Sequence, residues 1–541
     1  MDDTWWRTAV IYQVYPRSFA DSDGDGVGDL PGITARLTSL AALGVDAVWL
    51  SPFFASPQVD AGYDVSDYCD VDPVFGSLDD LDALLARAHD LGLKVIVDLV
   101  PNHTSDQHQW FRAALRDGPG SAARARYHVT DDPPDWQSVF GGPAWTRLPD
   151  GQFYLHLYDP AQPDLNWSDA GVRAEFEQIL RFWLDRGVDG FRVDVAHGLV
   201  KDPRYPPYAG SPLGLLAKRD APYWDQEAVH DIYRSWRAIL DGYTAADPGR
   251  PRILCGEANV AVDRAIRYVR PDELHQTFNF PYLQTPWEPV ALRRVIEESL
   301  AAYGSVGAPS TWVLSNHDVV RHASRFGYPA DAQPRMGVGV DDPQPDPVLG
   351  LRRARAAVLL MLALPGSAYL YQGEELGLPE HTTMPDDARQ DPNWERSGHT
   401  ERGRDGCRVP LPWLAGVDGL GFTDGVPWLP QPEEFDALAR NRQEEESGST
   451  LRLYVGALAF RRSLGLATGV LRWCSEPQSA VLDFASAGIR VTVNLGAAAV
   501  PLPDEAEVLL ASEPLSAWQL EPDVAVWWRP VGPDPVRSPQ A

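Results

Sequence analysis

The chain has 541 residues, of which 44% are hydrophobic and 10% aromatic, so it can bury a large core; a disordered chain has neither. Its formal charge of −29 argues against nucleic acid or an anionic membrane as partner, because both demand concentrated Lys and Arg. A neutral substrate is compatible with that balance.

From the N-terminus, the opening "MDDTWWRTAVIYQVYP" has no basic segment leading into an apolar core, and no later run approaches the length of a membrane span. The acidic stretch "DSDGDGVGD" follows. It puts Asp21, Asp23, Asp25 and Asp29 at the odd positions of a calcium loop, with Val27 offering its backbone carbonyl and Gly26 at the sharp-turn sixth position. Position twelve is Gly32 rather than Glu, so the loop reads as a shortened variant for calcium, with magnesium as the alternative.

Apolar, β-rich runs then alternate with helical patterns. The candidate strands are 9–16, 46–52, 94–100, 191–195, 253–258, 276–280, 311–316 and 368–373. Amphipathic segments separate several of them, and one begins with a Ser77/Asp80 capping signal. Eight such units without a nucleotide-binding glycine loop favour a (β/α)8 barrel over a doubly wound open sheet. The long gap after the third strand is rich in Pro, Asp, Gly and Trp and reads as an inserted domain. From about residue 471 the pattern becomes short alternating strands, as in a β-sandwich. The expected division is barrel over 1–103 and 172–467, insertion over 104–171 and β-domain over 468–541, with a frayed tail at the end. Cys69, Cys255, Cys407 and Cys474 lack metal spacing and read as free thiols of a cytoplasmic protein.

The fourth strand carries an anomaly. In "GFRVDVAHG" Arg192 and Asp194 share one face of an otherwise apolar run, which is costly without partners. Catalytic groups of such barrels sit at the C-terminal strand ends. Those ends hold Asp98, Asn102 and His103, then Arg192 and Asp194, then Glu257, then His317 and Asp318. Paired carboxylates suit glycosidic-bond chemistry, one as nucleophile and one as general acid, and Arg192 would favour an ionised Asp194. No Gly-x-Ser-x-Gly elbow or His-Glu-x-x-His helix supports other hydrolases.

"DLVPNH" (98–103), "GFRVDVAH" (190–197), "GEA" (256–258) and "LSNHD" (314–318) together resemble the four ordered motifs of the α-amylase superfamily of glycoside hydrolases. "QPDLNW" (162–167) and the stretch 5–33 resemble its oligo-1,6-glucosidase and α-glucosidase branch. The resemblance implies a retaining mechanism with Asp194 as nucleophile, Glu257 as acid/base and Asp318 as the third carboxylate. It implies that His103, Arg192 and His317 hold the sugar, that Tyr63 stacks on a terminal glucose, and that Asp64 binds that glucose and pairs with Arg404, or failing that Arg408. Such a pair would close the pocket, so single glucose units would leave from maltose and short oligosaccharides. Val195 resembles members that accept α-1,6 bonds, whereas the "AH" after it and the "AN" after Glu257 depart from the 1,6-specific pattern. The expectation is α-1,4 preference with some 1,6 tolerance. Trehalose synthase and sucrose-active enzymes share the motifs; non-catalytic relatives lack the acids. Oligomeric state is not legible.

Overall fold

One eight-stranded sheet organises the chain. The computed structural model describes residues 4–210, 221–329, 331–332, 334 and 336–530, so most of the expected tail lies outside the described residues. Its strands are β1 (Val10–Val14), β2 (Ala47–Leu50), β3 (Lys94–Leu99), β4 (Gly190–Val193), β5 (Ile253–Gly256), β6 (Gln276–Thr277), β7 (Thr311–Val313) and β8 (Ser367–Tyr371). Each falls on a run predicted from sequence. They pair in parallel in the order β6-β5-β4-β3-β2-β1-β8-β7. The ring all but closes where the Asn279 N–H donates to the Thr311 carbonyl at 3.0 Å.

Two-residue alternation sorts the side chains. Ile11, Trp49, Ile96, Cys255, Val313 and Tyr369 fill the barrel interior. Their neighbours Tyr12, Val48, Val97, Phe191, Leu254 and Leu370 belong to the larger core shared with the surrounding helices. One of those helices, Leu78–Asp90, starts with the reciprocal Ser77–Asp80 capping box read from sequence. By the same alternation Asp98 and Arg192 stand on the interior face. The β3–β4 register sets them directly opposite each other.

Between β3 and β4 the chain forms a helix (Gln109–Asp117) and a three-stranded antiparallel sheet of Val129–Thr130, Phe153–Leu155 and Trp145–Arg147. A buried ion pair anchors this insertion. Lys201, in the connection after β4, meets Asp164 of "QPDLNW" at 2.7 Å, both side chains fully buried. Lys201 also donates to the Asn102 side chain at 2.7 Å and the Gly198 carbonyl at 2.6 Å, so its charge is fully solvated by protein. Asp164 accepts from Leu157 N–H at 2.9 Å. At the C-terminal end, five antiparallel strands form a sheet beside a two-stranded ribbon, and Trp527 donates to the Leu359 carbonyl of a barrel helix at 3.1 Å.

Removing one partner of a buried pair leaves the other charged without compensation. Lys201→Ala is therefore expected to lower stability by about 3–5 kcal/mol, read as a lower chemical-denaturation midpoint. A midpoint equal to that of the unmodified protein would show that Asp164 is held by other groups.

Candidate active site

Arg192 reaches the C-terminal mouth of the barrel and is 2% exposed. Its Nη1 donates to Asp98 Oδ1 at 2.9 Å and Asp194 Oδ1 at 2.7 Å, and its Nη2 lies 2.6 Å from Glu257 Oε2. The guanidinium also lies over the Trp49 ring, 5.0 Å from its centroid. One cation thus gathers three carboxyl groups from the ends of β3, β4 and β5. Burial pushes the Asp98 carboxyl up to about 7, against the pull of Arg192. Burial, with Glu257 and Asp98 close by, likewise lifts the Asp194 carboxyl well above the usual carboxylate range. The sequence expectation that Arg192 would hold Asp194 ionised therefore needs correction. The guanidinium pulls in the expected direction, but burial outweighs it and two further acids share it.

Glu257 is further fixed through its neighbour's backbone. The Val195 N–H donates to Glu257 Oε2 at 3.1 Å, and Val195 adopts φ +45°, a strained value for a β-branched residue. The chain turns sharply directly after Asp194 to aim that N–H.

His317 is oriented by two contacts. Gln13 Nε2 donates to its Nδ1 at 2.7 Å, so Nε2 carries the hydrogen and donates to the Tyr63 hydroxyl at 2.6 Å; Tyr63 in turn donates to Asp98 Oδ2 at 3.2 Å. The Tyr63 and His317 rings stack with centroids 5.3 Å apart. Burial lowers His317 to about 3, so it is neutral. His103, lowered by burial to about 4, accepts from Asn102 and donates to the Tyr63 carbonyl at 3.0 Å. Asp318 is the opposite case. Burial works against its charge, yet the Arg404 and Arg408 guanidinium groups outweigh it and hold the carboxyl below the ordinary range.

These groups line one cavity of about 300 Å³ containing Tyr63, His103, Asp194, Glu257, His317, Asp318 and Arg404. Asp64 does not line it. Its carboxylate turns inward and accepts from the Val59 and Asp60 N–H groups at 2.9 and 3.0 Å and from Ser56 Oγ at 3.0 Å. Asp60 takes the place predicted for Asp64: it lines the cavity and meets Arg404 Nη2 at 2.7 Å. The physical reason is a tight loop, which uses Asp64 to satisfy its own backbone donors and points Asp60 outward. Arg404 also reaches Asp391 at 2.6 Å and Asp318 at 3.1 Å. Arg408 sits behind it, donating to the His317 carbonyl at 2.9 Å and to Asp318 at 3.1 Å. Sequence reading also missed Phe140 and Tyr158 from the insertion, and Asn393 after β8, which line the same space. Asp98 was noted at a strand end but given no role; its opposition to Arg192 needed the register.

The acidic loop near the N-terminus is a separate cluster. Asp21, Asp23 and Asp29 each offer a carboxylate oxygen within 4.8 Å of the others, a hard donor set that fits a divalent cation. Gly26 has φ +93°, as the sharp turn requires. Asp25 stands outside this group. Its Oδ1 accepts from the Val27 N–H at 2.8 Å and closes a local turn. Asp29 additionally caps the helix Leu30–Leu43 by accepting from Gly32 N–H.

A family model described as "Alpha amylase, catalytic domain" matches residues 13–468. A "Probable alpha-glucosidase" of Rhizobium meliloti (strain 1021) is 40% identical over 512 residues, covering 89% of this chain and 87% of that protein. "Maltase A2" of Drosophila melanogaster is 34% identical, covering 85% of this chain and 80% of its own. Among solved structures, an "alpha-glucosyl transfer enzyme, XgtA" is 36% identical with a TM-score of 0.83, covering 97% of this chain and 99% of that one. The trehalulose synthase MutB from Pseudomonas mesoacidophila MX-45 is 29% identical with a TM-score of 0.83 and the same coverage.

Burial raises Asp64 to about 6. The folded chain thus binds this proton more tightly than the unfolded chain, so the stabilisation is full below about pH 4 and is lost as pH rises through about 6. The melting temperature of the native protein relative to Asp64→Asn is expected to fall between pH 4.5 and 7. A constant difference across that range would count against an inward-facing Asp64.

Proposed function

The chain belongs to the α-amylase family, and on that premise we propose that it is a retaining enzyme that takes one terminal α-linked glucose at a time. In this reading maltose and short α-1,4 oligosaccharides are donors, with some α-1,6 tolerance, and the glucosyl unit passes to water or to a second alcohol. The observation that carries the proposal is the closed end of the pocket. The Asp60–Arg404 pair, backed by Asp391, stands where a further sugar unit would have to pass.

Asp194 attacks the anomeric carbon while Glu257 gives a proton to the departing oxygen. Asp194 attacks as a carboxylate beside the Arg192 guanidinium. In the second step Glu257 takes a proton from water or an alcohol, the new oxygen bonds to the anomeric carbon, and Asp194 departs. Asp318, kept ionised, would accept sugar hydroxyls, and the Tyr63 ring would stack on the glucose face. Both fates of the intermediate accord with the named relatives, which include glucosidases and glucosyl-transfer enzymes. Among the described residues, Arg404 is the one Lys or Arg lining the cavity, and it is already committed to carboxylates, which favours an uncharged substrate.

Asp21, Asp23 and Asp29 would hold a calcium ion that ties down the first loop, magnesium being the alternative; the ion would act on stability alone. No helix of the described residues is long and apolar enough to cross a membrane. The four free cysteines fit the reducing cytoplasm, where we place the protein.

Three outcomes test this reading. Asp194→Ala with α-glucosyl fluoride and azide should give the β-glucosyl azide, and Glu257→Ala the α-azide; swapped products would exchange the two roles. Maltose should lose glucose readily while starch keeps its viscosity, and rapid thinning of starch would contradict a closed pocket. Thorough chelation should lower the melting temperature, with calcium found by elemental analysis of the untreated protein. Unchanged melting and no bound metal would remove the ion.

A further inference from the structure

The short turn Pro16–Ser18 follows β1, and β1 lies between β2 and β8 in the sheet. The turn therefore stands between the loops that supply the Asp60–Arg404 contact, one after β2 and the other after β8. Its adjacent side chains Arg17 and Ser18 reach one loop each.

Arg17 Nη1 donates to Gln58 Oε1 at 2.9 Å. Gln58 precedes Asp60 in the loop after β2 and adopts φ +64°, a value that residues other than glycine keep only when held. Besides Arg17, its Nε2 donates to Asp72 Oδ2 at 3.0 Å and its N–H donates to Ser56 Oγ at 3.0 Å. In this conformation Asp60 meets Arg404 while Asp64 takes up the loop's N–H groups. Arg17 itself is poorly compensated. Its Nε is buried without a hydrogen-bond partner, and its guanidinium rests on the Trp428 ring, 4.5 Å from the centroid. A methionine would cover that ring at a lower desolvation cost, but it could not hold Gln58.

Ser18 is fully buried and serves the other loop. Its hydroxyl donates to the Arg408 carbonyl and accepts from Trp428 Nε1 at 3.0 Å; its own carbonyl accepts from the Leu411 N–H at 2.9 Å. Arg408 ends the tight turn that starts at Arg404, so an anchored Arg408 backbone orients both guanidinium groups that reach Asp318. Trp428 joins the halves, with its ring against Arg17 and its indole N–H on Ser18.

We propose that Arg17 and Ser18 are positioning residues that keep Asp60 and Arg404 in register and so set how tightly the pocket grips a terminal glucose. Neither lines the cavity. Arg17 acts through Gln58, and Ser18 acts through Arg408. This rests on the reading that the Asp60–Arg404 pair closes the pocket. Asp194 and Glu257 are held by Arg192 instead, so the reacting groups do not depend on this brace.

The test measures kcat and KM for maltose in Arg17→Met, Gln58→Asn, their double variant and Ser18→Ala. Asparagine tolerates a left-handed backbone but is too short to reach Arg17. Each single change is expected to raise KM about tenfold, the scale of one lost hydrogen bond, with kcat within about twofold of native. Arg17→Lys still offers a donor to Gln58 and should recover most of the native KM. The double variant should be no worse than either single one, because both cut the same link. Partial misfolding would lower kcat and leave KM alone. Native KM in Arg17→Met and Ser18→Ala, with or without a fall in kcat, overturns the brace, and so do additive increases in the double variant. Asp60→Asn is the control for the pocket. A raised KM there beside native values in the brace variants rejects this inference alone; a native KM there rejects the closed pocket and this inference with it.

Discussion

A single buried guanidinium organises the active end of this barrel. Arg192 cannot be accommodated inside a protein without compensation, and the three carboxyl groups around it cannot be crowded together without a cation. Each half of the arrangement is unfavourable alone. Asp98 supplies the partner across the strand pair, and Asp194 and Glu257 supply the partners that line the cavity. Burial, and after it the crowding of neighbouring acids, raises Asp98 and Asp194 against the pull of Arg192. A simple ion pair would have needed one carboxylate, and this guanidinium meets three.

Opposed electrostatic settings within a few ångströms give the carboxylates different characters. Asp318 has two guanidinium groups on one oxygen and stays ionised, whereas Asp194 shares its one cation with two other acids. The histidines of the site are neutral because burial lowers both, so they contribute as hydrogen-bonding groups. Their ring orientations are fixed by Gln13, Tyr63 and Asn102, none of which carries charge.

The pocket is assembled from parts distant in the chain. One side of it combines Asp60 after β2 with Arg404 and Asp391 after β8. Its roof comes from the insertion, where Phe140 lies against Arg404 and also packs edge-on to Tyr158. The insertion is held down by the Lys201–Asp164 pair and by backbone bonds such as Leu165 N–H to the Asn102 carbonyl at 3.0 Å. Left-handed backbone occurs at Val195, where the chain departs from the strand to serve Glu257, and at Gln58 and Ala61 in the loop that carries Asp60. The neighbouring strands, bonded on both sides, can sustain that departure.

Periodicity and capping chemistry are local properties, and they were legible in the sequence. All eight barrel strands and the Ser77 cap lie where residue patterns put them, and antiparallel strands follow residue 471 as the alternation there predicts. The ordered motifs likewise marked which acids stand at strand ends, since a strand's last residues project at the barrel mouth whatever the loops do. What required the tertiary structure was the identity of partners. Asp60 and Asp64 are both acids on the same short loop, and the choice between them depends on which way the loop's own N–H groups face. The pairing of Asp98 with Arg192 follows from strand register, and the sharing of one cation among three acids follows from that pairing. Phe140 and Tyr158 join the pocket because an insertion folds back across the barrel mouth. Sequence spacing carries no record of that contact, for the energy that selects it is spread over surfaces hundreds of residues apart.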